Sequence, residues 1–348
     1  MPMHHLVGTK LSESIVVEAL SRIPPFPPIA AKVLALLSMN SVEISEVSEL
    51  IGSDPTFSGR LLRCVNSYEF GLRHAIIEVQ QAIVLLGLER TRREIVTAAT
   101  AAYAGKALKA GDLRRCWEHT VATAILAEEI ARACQAFTGV AYTAGIMHDI
   151  GRLGLLVAYP REYESIIHDA AEQCLDLLDF ERERFGMHHT EAGRMLIEHW
   201  HLPDEFLVIA GRHHDPCEGE EVDLLRIVHV ACRLADSLGY GVSKPLVPLT
   251  PDAVLAGLPP RVRERFHMAP DEMRAQIDQR LRSYDSDNGD TPPDVATPEP
   301  ISASVLEVPL EPIPTEPDLP PVPRRLWPAV LATSAIGALA MFFFWLKY

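Results

Sequence analysis

Apolar residues recur along most of the chain with the three- and four-residue spacing of helices that bury one face. Ile29, Val33 and Leu37 follow this spacing, and the same period runs from Leu113 to Cys134 and from Leu225 to Leu238. No stretch alternates between apolar and polar residues for long enough to indicate a β-sheet. The hydrophobic pattern therefore predicts an all-α, multi-helix bundle.

Proline, glycine and capping residues divide this pattern into short helices. Ile23 to Pro28 holds four prolines and predicts an extended segment that leads into a helix. Ser53 to Pro55 supplies a capping carboxylate and a proline at the first helical position, which predicts a helix start. Gly87 predicts a break between two successive helices, and Gly151 predicts the end of the helix that carries His148.

Two of the predicted helices meet at Gly52 to Pro55 with the spacing of a helix-turn-helix, a DNA-binding motif. Arg60 and Arg63 are the only basic residues on its second helix. The chain has a net charge of −15, and residues 1–282 alone carry 38 acidic and 29 basic residues. DNA binding requires a basic surface, so packing of the two helices against each other is favoured and no nucleic-acid partner is expected.

The composition changes beyond residue 238. The sequence of residues 239–284 predicts a helical extension. Its last helix, Pro270 to Tyr284, is rich in charge and is expected to face solvent. Residues 285–323 contain eleven prolines and nine acidic residues without a lysine, arginine or histidine. This composition predicts a disordered, acidic, proline-rich linker over residues 285–326. A plain tether is favoured over a proline-rich segment that a partner recognises.

Trp327 to Leu346 is a run of 20 residues without a charge, with tryptophan near each end. A helix of this length spans about 30 Å, the thickness of the hydrocarbon core of a bilayer. Arg324 and Arg325 precede the run and only Lys347 follows it, so the positive-inside rule places the N-terminal part in the cytoplasm. The sequence predicts a single-pass protein tail-anchored in the inner (cytoplasmic) membrane, with a buried core helix as the alternative.

The clearest candidate chemistry is the adjacent pair His148 and Asp149, which follows a helix of small and apolar residues. His119 lies on the apolar face of an earlier helix, and further histidines stand at helix ends downstream. Imidazole and carboxylate groups are ligands that divalent metals prefer. A cluster of neutral histidines hydrogen-bonded to aspartates is the alternative to a metal site.

A series of short sequence blocks resembles the HDOD domain family. The blocks follow the order of the family from about residue 16 to residue 217. They are Ile23-Pro-Pro-Phe-Pro, Ile51-Gly-Ser-Asp-Pro, Leu61-Leu-Arg-Cys-Val-Asn-Ser, Gln81-Ala-Ile-Val-Leu-Leu-Gly-Leu-Glu-Arg, Met147-His-Asp-Ile-Gly, His189 with Glu191-Ala-Gly, Trp200-His-Leu-Pro and His213-His-Asp-Pro. The resemblance implies an all-helical HDOD domain over residues 16–238, with its core at 16–217, after a tail of residues 1–15.

The HDOD family is similar to the HD-superfamily phosphohydrolases, which include the HD-GYP phosphodiesterases, and this likeness implies a metal site. The superfamily pattern assigns seven ligands: His119, His148, Asp149, His189, His213, His214 and Asp236. They imply one or two divalent ions, with iron, manganese, magnesium and zinc all open. Asp149 would bridge two ions, and Arg152 would neutralise phosphoryl charge, so these two are the candidate catalytic residues.

The chain also departs from the HD-GYP pattern. Arg152 replaces a lysine, and Arg115 stands where some relatives have a glutamate for a third metal. Asp215-Pro-Cys-Glu-Gly replaces the G-Y-P signature that follows the paired histidines. The favoured function is therefore a membrane-tethered cytoplasmic signalling or regulatory module that acts through signalling proteins. The alternative is a metal-dependent phosphohydrolase or phosphodiesterase acting on a nucleotide or cyclic dinucleotide.

Overall fold

The computed structural model describes residues 10–39, 41–67, 75–104, 113–173, 175–217, 221–243 and 249–289. Within these ranges the chain forms helices joined by turns and contains no strand, which confirms the all-α prediction. One hydrophobic core runs through the described helices, from Val16 near the beginning to Tyr284 near the end.

Five helices form the N-terminal part of the bundle. They are α1 (Glu13–Arg22), α2 (Pro28–Leu37), α3 (Ile44–Gly52), α4 (Pro55–Val65) and α5 (Val79–Ala104). Asp54 caps α4, because its carboxylate accepts hydrogen bonds from the backbone N–H groups of Thr56 and Phe57. The predicted break at Gly87 is present as a kink inside α5, where this glycine has a φ of 75°.

Eight helices follow and surround the site. They are α6 (Leu113–Cys134), α7 (Thr138–Met147), α8 (Ile150–Ala158), α9 (Pro160–Gln173), α10 (Leu177–Phe185), α11 (His189–His199), α12 (Glu205–Arg212) and α13 (Leu224–Ala235). A π-helical turn, Asp236–Tyr240, continues α13. The central helix α6 packs against both α7 and α13 and is buried along most of its length, so residues on either side of it line the interior.

The prediction that Gly151 ends a helix is wrong. Helix α7 ends at Met147, the turn that follows holds His148 and Asp149, and Gly151 lies within α8. A Cβ atom at Gly151 would overlap the backbone carbonyl of His189 and the backbone of Gly193. This glycine is therefore needed because α8 and α11 approach closely, and the approach brings Asp149 beside His189.

Three helices complete the described chain: α14 (Pro251–Leu255), α15 (Pro260–Arg263) and α16 (Pro270–Gly289). The expectation that the last helix faces solvent is wrong for one of its faces. Met273, Ile277, Leu281 and Tyr284 are buried, and α16 packs against α6. These four residues recur every three or four positions, so a narrow apolar stripe anchors a helix that is otherwise charged.

No helix in the described ranges is both long and apolar enough to cross a membrane. The predicted membrane span, Trp327 to Leu346, lies outside the described residues. So does the predicted linker from residue 290 onward, while the helical backbone of α16 continues to Gly289.

We predict that Gly151→Ala destabilises the fold by about 1–3 kcal/mol, because the added methyl group must separate α8 from α11. The free energy of unfolding in urea, followed by circular dichroism, measures this loss. Gly52→Ala is the matched control, since a Cβ at this helical glycine has no neighbouring atom within 4 Å. Equal stability of the two variants would contradict the close-packing role of Gly151.

Candidate metal centre

Asp149 lies fully buried between two groups of histidines, and each of its carboxylate oxygens faces one group. Its Oδ1 is 3.3 Å from Nε2 of His189 and 3.5 Å from Nε2 of His213. Its Oδ2 is 3.6 Å from Nε2 of His148 and 3.8 Å from Nε2 of His119. The fold therefore brings the central pair together with three histidines from α6, α11 and the end of α12.

The potential ligand atoms form two sets, and the atoms of each set lie within 4.8 Å of one another. The first set contains Asp149, His189, His213 and His214, and the second contains His119, His148 and Cys232. His214 joins the first set through a distance of 3.1 Å between its Nε2 and that of His189. Six of the seven predicted ligands thus belong to a set that could hold a metal ion.

The outer nitrogen of each buried ring faces a hydrogen-bond acceptor, and this fixes the tautomer. Nδ1 of His148 is 2.6 Å from the backbone carbonyl three residues earlier, and Nδ1 of His213 is 3.1 Å from the carbonyl four residues earlier. Nδ1 of His189 is 2.7 Å from the carboxylate of Glu181. Because carbonyl and carboxylate oxygens only accept, each Nδ1 carries the hydrogen and each Nε2 presents a lone pair to the interior.

These lone pairs face one another at short distances. Nε2 of His189 is 3.3 Å from Nε2 of His213, and Nε2 of His148 is 3.3 Å from Nε2 of His119. A second proton on His189 or His148 is disfavoured, because burial lowers the pKa of His189 and holds the pKa of His148 well below its ordinary value. Oδ1 of Asp149 is also buried without a hydrogen-bond donor among the described residues. The donor set therefore fits a divalent cation.

Asp149 is ionised despite its burial. Burial alone would raise its pKa, but the guanidinium of Arg152 outweighs this effect and holds the pKa well below its ordinary value. The centre therefore contains a permanent negative charge that requires positive charge nearby.

Arg152 supplies part of that positive charge from inside the cluster. Its Nε donates to Oδ2 of Asp149 at 2.8 Å, and its Nη2 is 3.3 Å from Nε2 of His189. Its Nη1 is 3.4 Å from the hydroxyl of Tyr163. The guanidinium thus occupies the second oxygen of Asp149 and leaves Oδ1 unmatched. The predicted action of Arg152 on a phosphoryl group stays a prediction.

Glu181 was not among the predicted site residues, yet it holds His189 in place. Its Oε2 accepts hydrogen bonds from Nδ1 of His189 and, at 2.8 Å, from the backbone N–H of the same residue, while its Oε1 accepts one from Tyr163. Burial would raise its pKa, but His189 and Arg152 together lower it to about 2. A sequence signal existed, since Glu181 precedes Phe185 by four residues on the buried face of α10.

Asp236 was predicted as a ligand, but the structure does not bring it among the inward-facing donors. Its Oδ1 is 3.4 Å from Nδ1 of His119, on the side of the ring away from His148. The carbonyl of Tyr240 is 3.2 Å from the same Nδ1, because the π-helical turn carries this segment past the ring. Cys232 approaches Nε2 of His119 instead, with its Sγ at 3.5 Å. A spacing of four residues puts Cys232 and Asp236 on the same side of a helix, and only the fold decides where each lies around the ring of His119.

A cleft of about 310 Å³ opens over the cluster. His119, Arg152 and His214 line it, together with the charged side chains of Arg233, Asp176 and Asp236. The apolar part of the lining consists of Leu175, Leu177, Leu178, Val242 and Leu249. Solvent and a small ligand can therefore reach His214 of the first donor set and His119 and Cys232 of the second.

An all-helical bundle with a histidine–aspartate pair in a turn, surrounded by histidines from neighbouring helices, defines an HD-type domain. The chain belongs to the HDOD domain family, whose model matches residues 23–216. This match confirms the resemblance that the sequence blocks indicated.

Individual relatives show how far the likeness extends. An uncharacterised protein of Treponema pallidum (strain Nichols) is 25% identical over 211 residues, which are 60% of this chain and 40% of that protein. An HDOD domain protein of unknown function from Geobacter sulfurreducens has a TM-score of 0.60 and 22% identity, with 79% of this chain and 96% of that chain covered. A candidate phosphohydrolase from Shewanella amazonensis SB2B has a TM-score of 0.57 and 22% identity, with 76% and 97% covered. At identities this low, the structural similarity establishes that these chains share a fold.

Proposed function

We propose that this chain is a metal-dependent phosphohydrolase that acts on a small phosphate ester. The observation that carries the proposal is the buried, unmatched Oδ1 of Asp149, with Nε2 atoms of His189 and His213 facing it below an open cleft. Structural metal sites are closed to solvent, whereas catalytic sites keep a coordination position open to water and substrate. The cleft makes this centre one of the accessible kind.

The first donor set would hold the metal ion. Three imidazoles and one carboxylate suit iron, manganese or zinc better than magnesium. The second set would need Oδ2 of Asp149 as the shared ligand, and Arg152 already donates to that oxygen. We therefore expect one ion, with the guanidinium in place of a second.

The chain's own residues would orient the ligands and the substrate. A bound divalent ion lowers the pKa of water and stabilises charge on phosphoryl oxygens. Glu181 fixes the ring of His189, and Arg152 fixes the carboxylate of Asp149, so that Nε2 of His189 and Oδ1 of Asp149 would face the ion. Arg233 lines the cleft and would bind the phosphate of the substrate.

The size of the cleft favours a mononucleotide or smaller phosphate ester over a cyclic dinucleotide. Its volume of about 310 Å³ is at the lower end of the range for small-molecule sites, which is roughly 300–1,000 Å³. The absence of the G-Y-P signature after His214 agrees with this choice.

A second candidate function is a signalling module that uses the same fold without catalysis. Arg152 favours it, because one guanidinium both neutralises Asp149 and donates to His189, and so supplies an internal cation. In this case the helical surface would act through other signalling proteins of the cytoplasm. The two functions differ in whether the first donor set takes up metal.

Membrane attachment is part of both proposals. The uncharged run from Trp327 to Leu346 supports a single C-terminal span, and the acidic, proline-rich residues before it would separate the HDOD domain from the bilayer.

We predict that the full-length chain purifies with about one iron, manganese or zinc ion, because the first donor set provides four ligands. His213→Ala should lose this ion, and His168→Ala should keep it, since His168 is an exposed histidine of α9. Elemental analysis by mass spectrometry measures the ratio. Negligible metal in all three proteins, even after expression with added metal, would eliminate the phosphohydrolase.

We predict that Arg152→Gln lowers the stability of the metal-free protein by about 3–5 kcal/mol, because it leaves the buried charge of Asp149 without its partner. Added manganese or zinc should restore this stability and raise the metal content from about one ion towards two, since Oδ2 becomes available. Chemical unfolding with and without metal measures both effects. Arg161→Gln, on the exposed face of α9, is the control. If Arg152→Gln had the same free energy of unfolding and the same metal content as Arg161→Gln, the role of Arg152 as an internal cation would be refuted.

We predict that the full-length chain sediments with the cell membranes and that a chain ending at Arg325 does not, because the truncation removes the uncharged run. Fractionation after a high-salt wash distinguishes insertion from surface attachment. Identical recovery of both chains in the soluble fraction would contradict membrane anchoring.

A further inference from the structure

A second and larger cavity, of about 590 Å³, lies among α4, α5, α6 and α16. It shares no lining residue with the cleft over Asp149. Five arginines from three helices line it: Arg60, Arg63, Arg90, Arg93 and Arg280. Most of the remaining lining is polar and includes Ser67, Gln276, Gln279 and Ser283.

The two carboxylates of the described lining, Glu94 and Glu128, are already engaged by these arginines. Glu94 is 3.1 Å from Arg60 and 3.5 Å from Arg280. Glu128 is 2.8 Å from Arg93. Five guanidinium groups and two carboxylates belong to the described lining of a chain whose net charge is −15, and Arg60 and Arg90 have further contacts of their own. Like charges held together in a partly enclosed space repel, and a bound anion would relieve this repulsion.

Aromatic rings hold several of the guanidinium groups in position. The guanidinium carbon of Arg60 is 4.9 Å from the ring centre of Tyr284, and that of Arg280 is 6.0 Å from the same ring. Arg93 lies 5.6 Å from the ring centre of Tyr142. Both tyrosines are buried, so the arginines are partly ordered before a ligand arrives and lose less conformational entropy when it binds.

The position of Arg60 separates this site from a DNA-binding surface. Arg60 and Arg63 are the two bases on the second helix of the helix-turn-helix-like pair. The side chain of Arg60 is only 12% exposed and turns toward Glu94 of α5, so it faces the interior cavity and not an outer surface. Arg63 is exposed, but the other guanidinium groups of the lining are half-buried, which favours a small anion over a nucleic-acid backbone.

We propose that this cavity binds a compact polyphosphate, either inorganic or as the phosphate tail of a nucleotide. The planar forks of arginine match pairs of phosphate oxygens, and several forks from different helices can surround one polyphosphate group. The cavity volume is within the range of small-molecule sites. Because Gln276, Gln279 and Arg280 belong to α16, the bound anion would tie the last described helix to α4 and α5.

Calorimetric titration of the detergent-solubilised full-length chain tests the proposal, with excess EDTA present to remove metal from the other site. Inorganic pyrophosphate and ADP are the probes, and sodium sulfate at equal ionic strength is the control. Binding of pyrophosphate alone, or of both probes with similar affinity, identifies the polyphosphate group as the ligand. Binding of ADP at least about tenfold tighter identifies a nucleotide. The absence of binding by both probes beyond that of sulfate would overturn the proposal.

Two variants localise the binding. Gln279→Glu places a negative charge in the cavity on an exposed helical position and should weaken binding at least about tenfold, whereas Gln173→Glu, on α9, should not. Arg63→Gln/Arg280→Gln should weaken binding further than its charge-matched control Arg22→Gln/Arg194→Gln. Because Gln279 is exposed, its substitution should not affect folding. Unchanged affinity for pyrophosphate in Gln279→Glu would therefore overturn the assignment of the anion to this cavity.

The metal centre needs a separate control, because phosphate groups also bind metal ions. His213→Ala should leave the affinity for pyrophosphate unchanged, since His213 does not line the cavity. Loss of binding in this variant would place the anion at the metal centre and refute the second site. Negligible metal in the unsubstituted chain, together with retained anion binding, would refute the proposed hydrolase alone.

Discussion

The buried charge of Asp149 is the constraint on which the centre of this protein depends. A carboxylate without solvent must be matched by cations or hydrogen-bond donors, and its two oxygens are matched differently. Oδ2 receives the guanidinium of Arg152, whereas Oδ1 faces only lone pairs. Four structural features converge on this carboxylate: the turn between α7 and α8, the close approach of α8 to α11, the end of α12 and the inward face of α6.

Arg152 and an ion in the first donor set would use different oxygens of Asp149 but the same ring nitrogen of His189. Arg152 donates to Oδ2, and its Nη2 lies 3.3 Å from Nε2 of His189, so an ion among His189, His213 and His214 requires Nη2 to turn away from that nitrogen while Nε keeps its bond to Oδ2. An ion between His119 and His148 would compete with the guanidinium for Oδ2. Arg152, which stands where the HD-GYP pattern has a lysine, would therefore limit the number of bound metal ions in addition to any effect on phosphate binding.

Sequence periodicity predicted most helices of this fold because it reports which residues share a face. Capping residues predicted the start of α4 at Asp54 and Pro55, and periodicity predicted the inward direction of His119. It did not predict how far each helix rotates against its neighbours, and this rotation decides that Cys232 and not Asp236 approaches Nε2 of His119. Gly151 was misread because glycine serves both as a helix end and as a point of close contact, and only the partner helix distinguishes these roles.

The two charged sites also share one helix. Helix α6 contributes His119 to the metal centre and Glu128 to the arginine cavity, nine residues apart, which corresponds to about 13 Å along a helix axis. Yet α6 is buried along most of its length and packs against α7, α13 and α16, so it cannot shift without moving the core around it. Helix α16 differs, because four buried residues hold one stripe while its other faces are charged or exposed. If an anion in the cavity changes the conformation of the protein, α16 can therefore move with the loss of fewer buried contacts than α6. Its movement would act first on the π-helical turn beside His119, because Asp278 of α16 accepts a hydrogen bond from the hydroxyl of Tyr240 and Arg274 donates to the carbonyl of Leu238.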